Sequence, residues 1–383
     1  MTAAGSVPCT ECQTPVMLVP TGWSAGDPVY CTDHALLRGR DPRYIIPQAI
    51  ADAEHDLMAP ASDLIGWSLP SLTEAFGYLL RGTVTYVAGF PKGGKTGFLS
   101  NQLAHWDEEG TRVWVMPTES RPKGLITRLA CFRAGVSVDD AMSRRLRVRA
   151  DAGDREAKAA LQRLFDHFSA MALEHKMDGS NIAIEPAPRL TRKVFNQSCW
   201  AAASAGYSLV VVDHVDHIKA DDGGGENAYA ASEAVQHDAL EFAERYDVAV
   251  LLMTQLNTSR VTNDPLYRYR RPVPDWLWMK GVKDQIVTTM LGVYRPMLPD
   301  IDDKLLQAAK TGEVESWKVA MPDTMGLVDM LSRFNGGRPD RAVFVNFKDG
   351  RMTERSTADA WEYDAGAHGI NTGGPSSRGR RVA

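Results

Sequence analysis

Gly89-Phe90-Pro91-Lys92-Gly93-Gly94-Lys95-Thr96 fills the pattern G-x-x-x-x-G-K-T, and the residues on either side of it decide the fold. The apolar, β-branched run Val84-Thr85-Tyr86-Val87-Ala88 precedes it, and a helical stretch from Thr96 to Asp107 follows. Strand, glycine-rich turn and helix in that order form a cradle for phosphate. Glycines let backbone N–H groups converge on phosphate oxygens, and the helix N-terminus adds partial positive charge. Gly89, Pro91, Gly93, Gly94, Lys95, Thr96 and Gly97 are therefore expected to hold a nucleoside triphosphate. Lys95 would reach the β- and γ-phosphates, and the Thr96 hydroxyl would ligate Mg²⁺.

Working outward, apolar strand segments alternate with helical ones. Thr83–Ala88, Arg112–Met116, Asn181–Glu185, Leu209–Val212, Val248–Met253, Thr288–Val293 and Ala342–Phe347 read as strands. Lys123–Ala134, Asp154–Leu173, Thr191–Ala205 and Ala228–Tyr246 carry helical periodicity. The alternation predicts an α/β fold, a mainly parallel sheet flanked by helices. The domain is expected to span 66–355, with a linker or docking helix over 41–65 (Ile45–Met58) and a disordered tail over 356–383.

Residues 1–40 differ in kind. Cys9-x-x-Cys12 and Cys31-x-x-His34 offer four ligands for tetrahedral Zn²⁺, and so small a segment would draw its folding energy from the metal. A small zinc-ribbon-like module is the expectation. Cys131 and Cys199, in apolar helical surroundings, are expected to be buried packing residues. Five cysteines, an odd number, argue for a reducing, cytoplasmic setting over a disulfide framework. No apolar stretch is long enough to span a bilayer, and no charged-then-apolar leader opens the chain. A net charge of −5 excludes a uniformly cationic nucleic-acid binder, so such contacts must come from local patches.

Three polar residues end three of the strands. Leu209-Val210-Val211-Val212 leads into Asp213, a carboxylate suited to hold Mg²⁺. The strand ending at Met116 leads through Pro117-Thr118 to Glu119, placed to polarise an attacking water. The strand ending at Met253 leads to Thr254-Gln255-Leu256-Asn257, where an amide can touch the γ-phosphate. As an ordered set these pieces resemble the DnaB-like replicative helicases and their RecA-like motor domain, from about Gly66 to Arg355. Glu119-Ser120-Arg121, Arg128-Leu129, Gly135-Val136-Ser137, Trp276-Leu277, Gly281, Asp284-Gln285 and Val293-Tyr294-Arg295 extend the similarity.

The resemblance implies an ATP-dependent helicase that forms a homo-hexamer, translocates on single-stranded DNA during replication, and works with a primase or helicase loader. A RecA-like ATPase that assembles on or loads onto DNA without unwinding it is the alternative. Lys95, Glu119, Asp213 and Gln255 would be its catalytic residues, completed by a neighbour's arginine finger, Arg333 of Ser332-Arg333-Phe334-Asn335-Gly336, with Arg341 as competitor. Departures are equally visible. His214 follows Asp213 where the family has an aromatic residue, Ile286-Val287-Thr288 replaces an acidic cluster, and the cysteine-bearing segment stands where a helical N-terminal domain is usual.

Two segments at strand ends are candidates for the DNA path. The acidic stretch 220–227 is one. The other, Asn257–Pro274, carries Arg260, Arg268, Arg270 and Arg271 for phosphates, with Tyr267 and Tyr269 as stacking faces for bases. Arg144, Arg145, Arg147 and Arg149 form a further basic run that an exposed helix face or edge strand explains equally well. His214 and His217, at three-residue spacing, are expected to pack or hydrogen-bond locally.

Overall fold

The computed structural model describes residues 7–8, 15–16, 50, 64–119, 121–176, 180–187, 190–219, 228–258, 266–273, 277, 286–297, 302–315, 318, 320–321, 323–332 and 342–355. The chain divides into two units, Met1–Leu64 and Ile65–Ala383. In the first, strands β1 (Val7–Pro8) and β2 (Pro15–Val16) pair antiparallel. Cys9, Cys12, Cys31 and His34 lie outside the described residues, as do the tail from 356 and all of the expected linker helix but Ile50, which is helical.

The second unit is built on a nine-stranded sheet of order β11-β10-β9-β8-β3-β7-β6-β4-β5. Six strands run parallel: β3 (Val84–Gly89), β4 (Val113–Pro117), β5 (Ile182–Ile184), β6 (Leu209–Asp213), β7 (Ala249–Gln255) and β8 (Thr289–Tyr294). Between and around them run α1 (Pro70–Phe76), α2 (Lys95–Glu108), α3 (Pro122–Ala134), α4 (Val138–Met142), α5 (Arg145–Asp151), α6 (Arg155–Lys176), α7 (Arg192–Ser204) and α8 (Ala228–Tyr246). Helix α9 (Asp303–Thr311) follows β8.

The sheet is covered on both faces, which is why its central strands read as unbroken apolar runs. All of β6 is buried, and along β3 the residues alternate: Val87 joins one core, while Val84, Tyr86 and Ala88 join the other. In the first core Trp106 is almost wholly buried and donates its indole N–H to Gly66 O at 2.7 Å. Cys131 and Cys199 are buried packing residues as expected.

The far edge departs from the sequence reading. Strand β9 (Thr324–Ser332) pairs antiparallel with β8, β10 (Ala342–Lys348) antiparallel with β9, and β11 (Arg351–Thr353) antiparallel with β10. Strand β9 escapes a pattern search because Gly326 and Asp329 interrupt its apolar run. Gly326 is required by packing, since a Cβ there would lie 2.6 Å from the Tyr294 ring. Asp329 is buried within the strand.

The basic run from Arg144 is largely the exposed helix α5. Arg145 and Arg149 pair with Asp140, Arg149 also with Asp154, and Arg147 with Asp151. A more consequential ion cluster ties three helices together. Arg133 of α3 bonds Asp107 of α2 at 2.6 Å and Glu174 of α6 at 2.8 Å. Parallel connectivity places the C-terminal ends of β3, β4, β6 and β7 side by side, where open α/β sheets bind ligands.

Candidate functional site

The turn after β3 is shaped by close approach. Gly93 donates its N–H to Phe90 O at 2.9 Å, and a Cβ on Gly93 would sit 2.9 Å from that same oxygen. A Cβ on Gly89 would lie 2.7 Å from Val293 O. Gly94 takes φ 106° to enter α2, a left-handed conformation that glycine adopts without strain. Its own Cβ would meet Met325 Cε at 2.8 Å. Side chains are thus excluded where a phosphate would approach the backbone.

Lys95, the first residue of α2, is buried at 5% exposure and donates from Nζ to Gly89 O (2.8 Å) and Phe90 O (3.1 Å). Burial pushes its pKa down to about 8, against the opposing pull of Asp213, Glu119 and Asp216. Those three carboxylates set the negative side of the site. Asp213 is fully buried at the end of β6. His214 Nε2 stands 3.1 Å from Asp213 Oδ1 and 2.9 Å from Glu119 Oε2, bridging the two acids. Gln255 Nε2 donates to the same Glu119 oxygen at 3.4 Å. Thr118 secures the junction of β4 and β6: its hydroxyl accepts from His214 N at 2.7 Å and donates to His214 O at 3.0 Å.

Lys95, Glu119, His214 and Gln255 line a cleft of about 660 Å³, while Asp213 is buried behind its surface. Its near wall is the glycine-rich turn with Thr96, Glu119, His214 and Gln255, and its far wall includes Arg295, Asp323 and Phe347. The Arg295 guanidinium lies 4.7 Å over the Phe347 ring, and burial lowers its pKa while Asp323 and Asp139 hold it up. A planar cation on an aromatic ring is a surface suited to a flat, π-rich group.

A protein-family model described as an AAA domain matches residues 54–260, more than half of the chain. The chain belongs to the AAA domain family. Among solved structures, this AAA-domain chain is similar to "The Structure Of A DnaB-Like Replicative Helicase And Its Interactions With Primase". That match has TM-score 0.59 and 17% identity, over 82% of this chain and 69% of that one. A second similar structure is that of an ATPase domain, with TM-score 0.58 and 16% identity, over 81% of this chain and 98% of that one. Identities this low establish a shared fold, the mainly parallel α/β arrangement expected from the strand pattern and the RecA-like form implied by the resemblance. No curated protein matches the chain.

Within the AAA domain, the structure brings Lys95, Glu119, Asp213 and Gln255 together at one end of the cleft. A hydroxyl and a carboxylate, Thr96 and Asp213, are the hard oxygen donors that Mg²⁺ favours. His214 bonds beyond its own segment, to Glu119 as well as to Asp213, and among the described residues no cluster of three or more His, Cys, Asp or Glu could hold a metal ion. Cys9, Cys12, Cys31 and His34, expected to bind zinc, and Arg260, Arg333 and Arg341 lie outside the described residues. Also among the described residues, no helix is long and apolar enough to cross a membrane.

The segment after β7 corrects one expectation. Tyr267–Tyr269 forms a 3₁₀ turn with both tyrosines turned into the protein. Tyr267 meets Phe90 edge-on at 4.8 Å, and Tyr269 is buried beside Leu266 and Met297. They are packing residues, because burying Tyr267 against the phosphate turn and Tyr269 in its own small cluster outweighs leaving two aromatics in solvent. Arg268 belongs to the turn, while Arg270 and Arg271 follow it, half-buried.

Asp216, Arg295 and Phe347 were missed as site residues by sequence reasoning. Arg295 had two signals, its place directly after β8 and its part in Val293-Tyr294-Arg295. Phe347 had none, because it reaches the cleft only through the antiparallel edge.

Proposed function

We propose that this AAA-domain chain is an ATP-hydrolysing motor of the DnaB-like helicase class, translocating on single-stranded DNA and unwinding duplex during replication. The observation that carries the reading is the convergence of Glu119, Gln255, His214 and Asp213 on the cleft that holds Lys95 and Thr96. A kinase would need a second substrate site at the same mouth. Here that mouth presents a carboxylate already held by an amide and an imidazole, as water activation requires.

In this reading the backbone of Gly89–Thr96 binds the phosphates, and Lys95 exchanges its bonds to Gly89 O and Phe90 O for phosphate oxygens. Thr96 and Asp213 would hold Mg²⁺, which supplies charge neutralisation between the phosphates. Glu119 takes the proton of the attacking water. His214 and Gln255 fix the orientation of that carboxylate. Arg295 and Phe347 face the base. A neighbouring subunit in a homo-hexamer supplies Arg333 or Arg341 to the site. The Arg260, Arg268, Arg270 and Arg271 segment lies along the DNA, and Cys9, Cys12, Cys31 and His34 bind Zn²⁺ in a module that contacts DNA, a primase or a loader.

The test is DNA-stimulated ATP hydrolysis and strand displacement on a forked duplex, with wild type beside Lys95→Ala and Glu119→Gln. Wild type should displace the strand with ATP and fail with a non-hydrolysable analogue. Glu119→Gln should still bind ATP while its turnover falls by about 10²-fold or more. ATP-dependent DNA binding without displacement would replace the helicase by an ATPase that assembles on DNA.

A further inference from the structure

We infer that Asp216 is the positioning residue that seats Gln255, and through it Glu119, for the reaction just proposed; the inference rests on that reading. Asp216 lies in the 3₁₀ turn Val215–His217, immediately beyond β6. One of its carboxylate oxygens, Oδ2, accepts from Thr254 Oγ1 at 2.7 Å and from the backbone N–H of Gln255 at 2.6 Å. Both donors belong to the last two residues of β7. Thr254 is fully buried, so its hydroxyl depends on protein partners. Hydrogen bonds to a carboxylate at such distances are charge-assisted and stronger than neutral ones. They fix the backbone from which the Gln255 side chain reaches Glu119 at 3.4 Å.

The base on which Asp216 stands is itself fixed. Val215 O, in the same turn, accepts from Ser232 Oγ at 3.4 Å, and Ser232 is fully buried on α8. Gln236, one helical turn on, donates to Ser232 O at 3.0 Å and accepts from Tyr86 OH of β3 at 2.8 Å. The turn is thereby held to α8, and α8 to β3, the strand that leads into the phosphate cradle. Asp216 joins this frame to the exit of β7. A shift of Gln255 on γ-phosphate loss would be passed to the turn and to α8 through one carboxylate.

Four measurements on the 383-residue chain test this. In Asp216→Ala, kcat for ATP should fall at least about tenfold while KM for ATP stays within about threefold, because Gln255 is displaced and the phosphate cradle is intact. Asp216→Asn, which keeps an oxygen acceptor, should recover most of the lost rate. Combined with Gln255→Ala, the Asp216→Ala change should add less than about twofold to the loss from Gln255→Ala alone. Independent multiplicative losses would overturn the inference, as would a rise in KM with kcat unchanged. Hydrogen exchange of the peptide covering Thr254–Leu256 supplies a readout free of activity. Exchange should accelerate in Asp216→Ala and not in Asp216→Asn, and unchanged protection in Asp216→Ala would overturn the inference whatever the kinetics. If wild type shows no ATP turnover while that exchange difference is present, the proposed function fails and the seating of Gln255 stands.

Discussion

Replacing Lys95 by methionine should abolish nucleotide turnover and stabilise the empty protein at neutral pH. The buried ammonium has its pKa pushed from 10.5 down to about 8, chiefly by loss of hydration. Below pH 8 the folded chain carries a charge that its surroundings disfavour, equivalent to about 3 kcal/mol across that displacement. Methionine removes this term and keeps most of the apolar stem. It also gives up the bonds to Gly89 O and Phe90 O, together about 1–2 kcal/mol. The net expectation at pH 7 is that the variant is more stable by about 1–2 kcal/mol.

The sign with pH follows from the same displacement. Between about pH 8 and 10.5 the unfolded chain holds more protons than the folded one, so wild-type stability rises with pH through that window. The methionine variant lacks this rise. Its advantage should therefore shrink by about 2 kcal/mol between about pH 7 and pH 9.5 and there vanish or reverse. Urea unfolding of both proteins at the two pH values, without nucleotide, measures it. A variant less stable than wild type at neutral pH, or a difference that does not move with pH, would refute the reasoning.

Gly93→Ala should impair nucleotide binding at least about tenfold, because its Cβ would meet Phe90 O at 2.9 Å and force the phosphate turn to move; calorimetric titration with an ATP analogue checks it. Arg133→Ala should destabilise the domain by about 3 kcal/mol, since Asp107, only 7% exposed, would lose its guanidinium partner; denaturant midpoints give the value. Replacing Arg270 and Arg271 together by alanine should weaken single-stranded DNA binding and reduce the salt slope by about 1–2 if both meet phosphates. An unchanged slope in a fluorescence-anisotropy titration would place the DNA elsewhere.

The near wall of the cleft was legible because its residues share one sequence habit: each ends or follows a parallel, doubly buried strand. Asp213, Glu119 and Gln255 all stand at the carboxyl edge of an apolar run, where chain direction alone brings them together. The far wall has no such rule. Asp323 directly precedes β9, whose apolar run Gly326 and Asp329 break, and Phe347 lies on β10, which reads as a strand but whose antiparallel place beside β9 does not, so contact with the cleft depends on sheet order. Asp216 stands between His214 and His217 in the short motif that follows Asp213, and nothing in its spacing singles it out. Its task lies with residues far along the chain, which spacing within that motif cannot reveal. Tyr267 and Tyr269 misled for the converse reason, since aromatic residues among arginines suit a nucleic-acid surface and a core equally well until their burial is known.

The join between α2 and β11 bears on where this protein can be cut. Asn101 of α2 donates to Gly350 O at 2.9 Å and accepts from Met352 N at 2.8 Å, and Gly97, at the head of the same helix, lies against the Phe347 ring. A fragment ending after β7 would carry the whole phosphate motif and every catalytic side chain inferred for this chain except the arginine finger. It would still lack the partner that seats the helix bearing Lys95. Expression boundaries drawn around the motif would divide the site, and a piece that keeps this join extends at least to β11.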